Sequence, residues 1–186
     1  VFSPKKQVKP DALLIYGIRG NIKEELRAEE GRILSRWEDS GWGRVVANNK
    51  HYGEFSDQLI DAFVEMIKNW NPIPSPKWVT CVPSLNHITL VPNFANKVAK
   101  KLNLPFVEVV KKIKHNQPQK MMNNSYHQAK NLDGVFNIID EIPSGAVLLI
   151  DDVIDSGWTV TVISALLKRK GSGNVFPASL STTGKM

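Results

Sequence analysis

Three carboxylates and a small-residue turn stand together in the stretch Val147-Leu148-Leu149-Ile150-Asp151-Asp152-Val153-Ile154-Asp155-Ser156-Gly157-Trp158-Thr159. A turn of small residues ahead of a helix offers backbone N–H groups to an anion, and the helix dipole adds to the attraction. Adjacent carboxylates at the end of an apolar strand repel each other, a cost that a ligand offsets by using them. Asp151 and Asp152 beside an anion cradle at residues 155–159 suit a sugar phosphate. Their oxygens can accept hydrogen bonds from ribose hydroxyls or hold the waters of a Mg²⁺ ion.

The elements that must position these groups follow from periodicity. Val147 to Ile150 is an apolar run that predicts a buried strand, with the two Asp residues at its carboxyl end, where ligands sit in open α/β sheets. Trp158 to Lys170, with Ile163, Leu166 and Leu167, predicts a helix closed by Gly171. Ser56 is a good N-cap for a helix carrying Leu59, Ile60, Phe63, Val64, Ile67 and Trp70, which stops at Asn71-Pro72. Trp78 to Val82 reads as a strand, Pro92 to Leu102 as a helix, Phe106 to Val110 as a strand, and Val175 to Leu180 as a strand whose Pro177 marks a sheet edge. This alternation implies parallel βαβ units. Lys111 to Asn131 has no period and is polar and basic, which predicts a long mobile loop. Asn21 to Arg36 is charged and reads as a helix interrupted by Gly31. Trp37 to Gly43 is a turn-rich aromatic patch, and the Pro- and Lys-rich start up to Pro10 reads as a linker.

Hydrophobic residues make up 42% of the 186, enough for a real core. The single cysteine, Cys81, excludes an internal disulfide and fits a reducing cytosol. It lies in the apolar run Trp78 to Val82 and reads as a structural thiol, because nothing nearby would activate it. No run is long enough to span a membrane, and no signal peptide is visible. The net charge of +6 is local: Lys97 to Lys130 holds eight lysines against one acid, Glu108, which leaves the rest of the chain slightly acidic. Such a segment faces a polyanion, a pyrophosphate or a nucleic acid. His115 and His127 lack metal-site partners at the right spacing. The start, Val1-Phe2-Ser3-Pro4, lacks an initiator Met, which suggests a piece of a longer chain.

The stretch 147–159 resembles the phosphoribosyl-pyrophosphate (PRPP) motif of type I phosphoribosyltransferases: an apolar strand, two acids, then Asp, Thr or Ser, Gly and Thr. Val82-Pro83-Ser84-Leu85-Asn86-His87 resembles the loop after the first core strand in phosphoribosyltransferase-like proteins of the ComF group. Gln119 to Phe136, ending Asn131-Leu132-Asp133-Gly134-Val135-Phe136, is similar to another ComF pattern, with Lys130 where Arg is usual. A closer resemblance covers nearly the whole chain. Arg36-Trp37, Gly41-Trp42-Gly43, the stretch from Trp78 to Ser84, Asn124-Ser125 with Gln128 and Asn131, and residues 155–159 look like the domain attached to the C-terminus of some bacterial RecQ-type DNA helicases. No Gly-x-x-x-x-Gly-Lys-Ser/Thr occurs in the chain, so ATP hydrolysis and unwinding are not expected of it alone.

The resemblance implies an α/β type I phosphoribosyltransferase fold, a twisted, mainly parallel sheet flanked by helices, with a hood-like N-terminal extension. Residues 1–20 would be a linker or the start of the hood, 21–77 the hood, and 78–186 the PRPP-binding core. Asp155, Ser156, Gly157, Trp158 and Thr159 would hold the 5′-phosphate. Asp151 and Asp152 would hold the ribose, directly or through Mg²⁺-bound water, and Asp155 would be the catalytic group. Ser84, Leu85 and Asn86 would hold pyrophosphate, and Lys112, Lys114 or Lys120 would act from a closing loop. Trp158 departs from the small residue usual in that loop, and its indole would either stack on the ligand or pack beneath the helix. The function implied is binding of PRPP, with Mg²⁺, or of a nucleotide monophosphate, extending to phosphoribosyl transfer to an unknown base in the cytoplasm. The other reading is a non-catalytic sensor or DNA-contacting accessory beside helicase domains, with Trp37, Trp42 and the lysine-rich surface giving weak DNA contact.

Overall fold

The computed structural model describes residues 1–184, the side chain of Lys120 excepted. In chain order it contains β1 (Gln7–Leu13), β2 (Ile18–Asn21), β3 (Arg32–Arg36), α1 (Trp42–Tyr52), α2 (Asp57–Trp70), β4 (Trp78–Cys81), α3 (Leu90–Lys101), β5 (Val110–Lys112), α4 (Ser125–Lys130), β6 (Phe136–Ile138), β7 (Val147–Ile154), α5 (Trp158–Arg169) and β8 (Val175–Thr182). The central sheet has the order β3-β8-β7-β4, and its three pairings are all parallel. A parallel sheet is covered on both faces and so is built from continuous apolar runs, as Val147 to Ile150 is.

Alternation along β7 divides the core in two. Val147 and Leu149 join the cluster with Val160, Ile163 and Leu167 of α5, whereas Leu148 and Ile150 join Phe63 of α2 and Phe94 of α3. The first cluster also takes in β1, β2, β5 and β6. The hairpin β1-β2 docks there through Val8, Ala12, Leu13 and Ile18. Two further ties hold it. The Tyr16 hydroxyl donates to Phe136 O (3.0 Å) and accepts from Phe136 N (2.6 Å), and the Ile15 N–H donates to Asp133 Oδ1 (3.0 Å).

Several sequence expectations change. The start of the chain is not a bare linker: β1 begins at Gln7, and Phe2 bridges Gly31. The stretch 21–36 holds a 3-10 turn at Glu24–Leu26 and then β3, an outer strand of the central sheet, rather than a helix. The turn-rich patch becomes the start of α1 at Trp42. Phe106 makes only a bridge to Val79, and the strand follows at Val110–Lys112, paired antiparallel with β6. Pro177 lies inside β8, an interior strand. It is tolerated because the β3 ladder begins only at Ala178 (paired with Arg32), so no β3 partner awaits its missing N–H.

The segment 111–131 is structured rather than an open loop. It contains the end of β5, a 3-10 turn at Gln119–Met121, and α4, whose N-cap Asn124 accepts from His127 N (3.0 Å). Asn131 ties it together: its Nδ2 donates to Gln117 O (2.7 Å) and Gln119 Oε1 (2.8 Å), and its Oδ1 accepts from Gln117 N (3.1 Å). No helix among the described residues is long and apolar enough to cross a membrane.

Candidate functional site

β7 does not stop at the carboxylates. It pairs with β8 through Asp151↔Ser179, Val153↔Ser181 and Ile154↔Thr182, while β4 ends alongside Ile150 at Cys81. The hydroxyls of β8 support the extension: Ser179 Oγ donates to Asp152 O (3.0 Å) and Thr182 Oγ1 to Ile154 O (2.7 Å). Inside a strand, neighbouring side chains point to opposite faces. Asp151 and Asp152 therefore leave the strand toward opposite faces, yet at its end their carboxyls stay within hydrogen-bond reach of each other.

Asp151 lies on the face of α5. With Gln119, Val153, Asp155, Ser156, Gly157, Thr159 and others it lines a cavity of ≈ 80 Å³ at the start of that helix. Its Oδ1 accepts from Asp152 N (2.9 Å). Burial, reinforced by the negative charge of Asp152, pushes the Asp151 carboxyl well above the usual carboxylate range, with Lys50 opposing the shift. Asp152 turns to the other face. Its Oδ1 accepts from Val153 N (2.7 Å), and its Oδ2 stands 2.7 Å from Lys50 Nζ of α1. Lys50 carries no signal in the sequence, because the contact spans about a hundred residues and no element is predicted for residues 44–52.

The cradle is formed by Gly157, the N-cap of α5, at φ +80°. Gly157 offers no capping side chain, so beyond Trp158 N, which reaches the Ser156 hydroxyl, the first-turn N–H groups are left for an anion. Ser156 Oγ lies 3.5 Å from Trp158 N. A Cβ on Gly157 would stand 2.5 Å from Phe2 Cζ, so the N-terminal arm covers one side of the turn while the cavity opens on the other. Trp158 packs in the core, 2% exposed, and its Nε1 donates to Ser125 Oγ of α4 (3.0 Å). The indole is thus a floor beneath the cradle and a tie to α4, not a wall of the pocket.

Beside the cradle lies a cleft of ≈ 740 Å³ lined by Trp37, Lys50, Pro118, Gln119, Gln128, Val153, Asp155 and Thr183. That volume is of the order of small-molecule sites, about 300–1,000 Å³. Asp155 borders both spaces, and its Oδ1 accepts from the Thr183 hydroxyl (2.8 Å). Lys50 Nζ is 6.0 Å from the centre of the Trp37 ring.

The structure thus brings Asp151, Asp155, Ser156, Gly157 and Thr159 together. Asp152 and the Trp158 side chain are turned away. Ser84, Leu85 and Asn86 leave the carboxyl end of β4, next to β7, but none lines either space. There the Ser84 hydroxyl accepts the N–H groups of Asn86 (3.3 Å) and His87 (3.2 Å). Lys112 lies in β5, half-buried, with its ammonium pushed below the usual lysine range by burial, and Lys114 is exposed; neither lines these spaces. The side chain of Lys120 is outside the described residues. The sequence did single out Gln119 and Gln128, but as pattern residues rather than as pocket walls. Cys81 is buried, and burial together with Glu108 and Asp151 pushes its thiol up to about 12, so it is unreactive.

Most oxygens of the acidic pair are engaged within the protein, so a divalent ion would be held there through water rather than in a shell of the pair's own oxygens. Asp151 Oδ1 and both Asp152 oxygens already have protein partners, and the described residues hold no cluster of three or more His, Cys, Asp or Glu able to bind a metal.

No curated protein sequence matches this chain. Among solved structures, adenine phosphoribosyltransferase from Saccharomyces cerevisiae is similar at 22% identity, covering 73% of this chain and 72% of that one with a TM-score of 0.45. The enzyme of the same name from Leishmania tarentolae is similar at 15% identity over 68% and 72%, with a TM-score of 0.45. Residues 93–178, from α3 through β7, the cradle and α5 into β8, match the family model of the phosphoribosyl transferase domain.

Proposed function

We propose that the chain binds PRPP or a nucleotide monophosphate at the cradle and cleft, and that it transfers a phosphoribosyl group to a base. The observation that carries this reading is the uncapped start of α5 at Gly157, with Asp151 and Asp155 facing the same cavity inside the segment that matches the phosphoribosyl transferase domain. Backbone N–H groups of residues 156–159, with the Ser156 and Thr159 hydroxyls, hold the 5′-phosphate. Asp151 takes ribose hydroxyls, donating or accepting according to its protonation. The base lies in the cleft against Trp37, with Gln119 and Gln128 in reach of its polar edge. A ring nitrogen of the base bonds to the sugar C1′ as the bond from C1′ to pyrophosphate breaks, and the proton of that nitrogen passes to the departing pyrophosphate or to water. Asp155 stabilises the positive charge that develops on the sugar. Mg²⁺ enters this reading on the pyrophosphate of PRPP, outside the acidic pair. Ser84, Leu85 and Asn86 would receive the pyrophosphate if the N–H groups of Asn86 and His87 turn away from the Ser84 hydroxyl.

Calorimetry with ribose 5-phosphate and PRPP, followed by single-turnover assays with a panel of bases, tests this. Saturable binding that Asp151→Asn and Ser156→Ala each weaken is expected. Absence of binding of both ligands would overturn the reading, whereas binding without transfer to any base would leave a sensor. The likeness to the RecQ-attached domain supports helicase domains as partners in a longer cytoplasmic chain. DNA contact is a weaker reading: Lys97 and Lys101 already pair with Glu54 (3.3 Å) and Asp61 (2.8 Å), and Lys130 donates to Asp11 O.

A further inference from the structure

Among the described residues lining the cleft, Lys50 is the single cation. It is held there from two sides: Asp152 Oδ2 is 2.7 Å from its ammonium, and the Trp37 ring lies beneath at 6.0 Å. Asp152 has its other oxygen fixed by Val153 N, so the carboxylate cannot turn away from the lysine without losing that bond. Asp151 Oδ1 and both Asp152 oxygens are already engaged by protein donors, and Mg²⁺ demands a regular shell of about six oxygens, which this pair does not supply. A lysine ammonium keeps three donors; one serves Asp152, and Lys50 also borders the open cleft where Asp155 and Thr183 stand.

We propose that Lys50, positioned by Asp152, is a ligand-binding residue that supplies the positive charge of this cleft, so that a sugar phosphate or its pyrophosphate is held without any divalent ion on the protein. The proposal rests on the ligand class given under the proposed function. It places the charge on α1, from the far face of the sheet, rather than on the lysines of the segment 111–131.

The test is calorimetric titration of PRPP and of ribose 5-phosphate into the protein, in EDTA and in excess Mg²⁺. The unaltered protein should bind PRPP about equally in both, within about threefold. Lys50→Met should bind PRPP about tenfold more weakly or worse in EDTA, as expected for one lost charge-assisted hydrogen bond, and recover part of the loss in Mg²⁺. Lys50→Arg should keep metal-free binding. Because Lys50→Met leaves Asp152 without its partner, the double variant Lys50→Met with Asp152→Asn, which leaves no orphaned charge, should show the same metal dependence on a folded protein. A tenfold loss on Mg²⁺ removal in the unaltered protein would overturn the proposal while sparing the proposed function. So would a Lys50→Met variant that binds PRPP in EDTA as the parent does. Failure of both ligands to bind under any condition would remove both readings together.

Discussion

The ion pair between Lys50 and Asp152 gives a measurable stability signature. At 2.7 Å and an effective dielectric of about 20, the gross attraction is about 6 kcal/mol. Desolvation removes most of that. Exposed pairs contribute about 0–1 kcal/mol, and breaking a fully buried one costs about 3–5 kcal/mol. The side chains here are 30% and 11% exposed, which puts this pair between those limits. Lys50→Met should therefore cost about 2 kcal/mol, because it leaves the Asp152 carboxylate, next to Asp151, with no cation beside it. At about 2–4 °C per kcal/mol for a chain of this size, Tm falls by about 4–8 °C. Asp152→Asn should cost less, since its lysine can still reach water and the repulsion on Asp151 disappears. Urea unfolding of both single variants and the double closes the cycle, and the double should be less destabilised than the sum by about 1–2 kcal/mol. A Lys50→Met variant within about 0.5 kcal/mol of the parent, or strict additivity, would refute the geometry on which this reasoning stands.

Asp151 should show the opposite pH behaviour to an ion-paired carboxylate. Burial raises its folded pKa above the ordinary 3.8, so its contribution is fully present below that value and is lost as pH rises through the raised one. Asp151→Asn should then raise Tm at neutral pH, with the gain shrinking as pH falls toward about 4, and a Tm unchanged across this window would contradict the burial. Gly157→Val should destabilise the fold as well as block the anion, because φ is +80° and Phe2 fills the space of a Cβ. Adding Phe2→Ala should recover only the steric part of the loss, and complete recovery would show that the left-handed backbone carries no strain. The Cys81 thiol, pushed up to about 12, should react with Ellman's reagent at mildly alkaline pH only as fast as the protein unfolds, and rapid labelling of the native protein would contradict its position.

Where sequence and structure agree, the signal was local. Ser56 caps α2 through Leu59 N (3.3 Å), and the apolar stripe from Leu59 to Ile67 is buried as its period requires. The turn 155–157 and α5 lie where their residues put them, because a glycine N-cap and an apolar helix are short-range features. The misses share a cause in distance. β3 reads as a charged segment because an outer parallel strand is stabilised by β8, about 145 residues away. Only the first residues of α1 fall in the turn-rich patch, where Gly41 and Gly43 hide the helix start, and residues 44–52 carry too few apolar positions to show a period. Gly43 is in fact there for closeness: a Cβ would stand 1.8 Å from Arg36 O. The hairpin β1-β2 is disguised by lysines and Pro10, and its docking depends on Tyr16 and Asp133, which have no recognisable spacing.

The opposite facing of Asp151 and Asp152 makes β7 sensitive to register in a way that its composition does not reveal. One strand delivers a carboxylate to the ligand on one side of the sheet and an anchor for α1 on the other. Inserting a single residue between Ile150 and Asp151 would exchange the two roles without changing any side chain. Two inserted residues would restore both facings about 6–7 Å further along the sheet. Odd and even insertions at this point should thus have different consequences for ligand binding, although they add nearly the same mass. For anyone recombining such domains, the parity of a crossover inside β7 matters more than how many of its residues are kept.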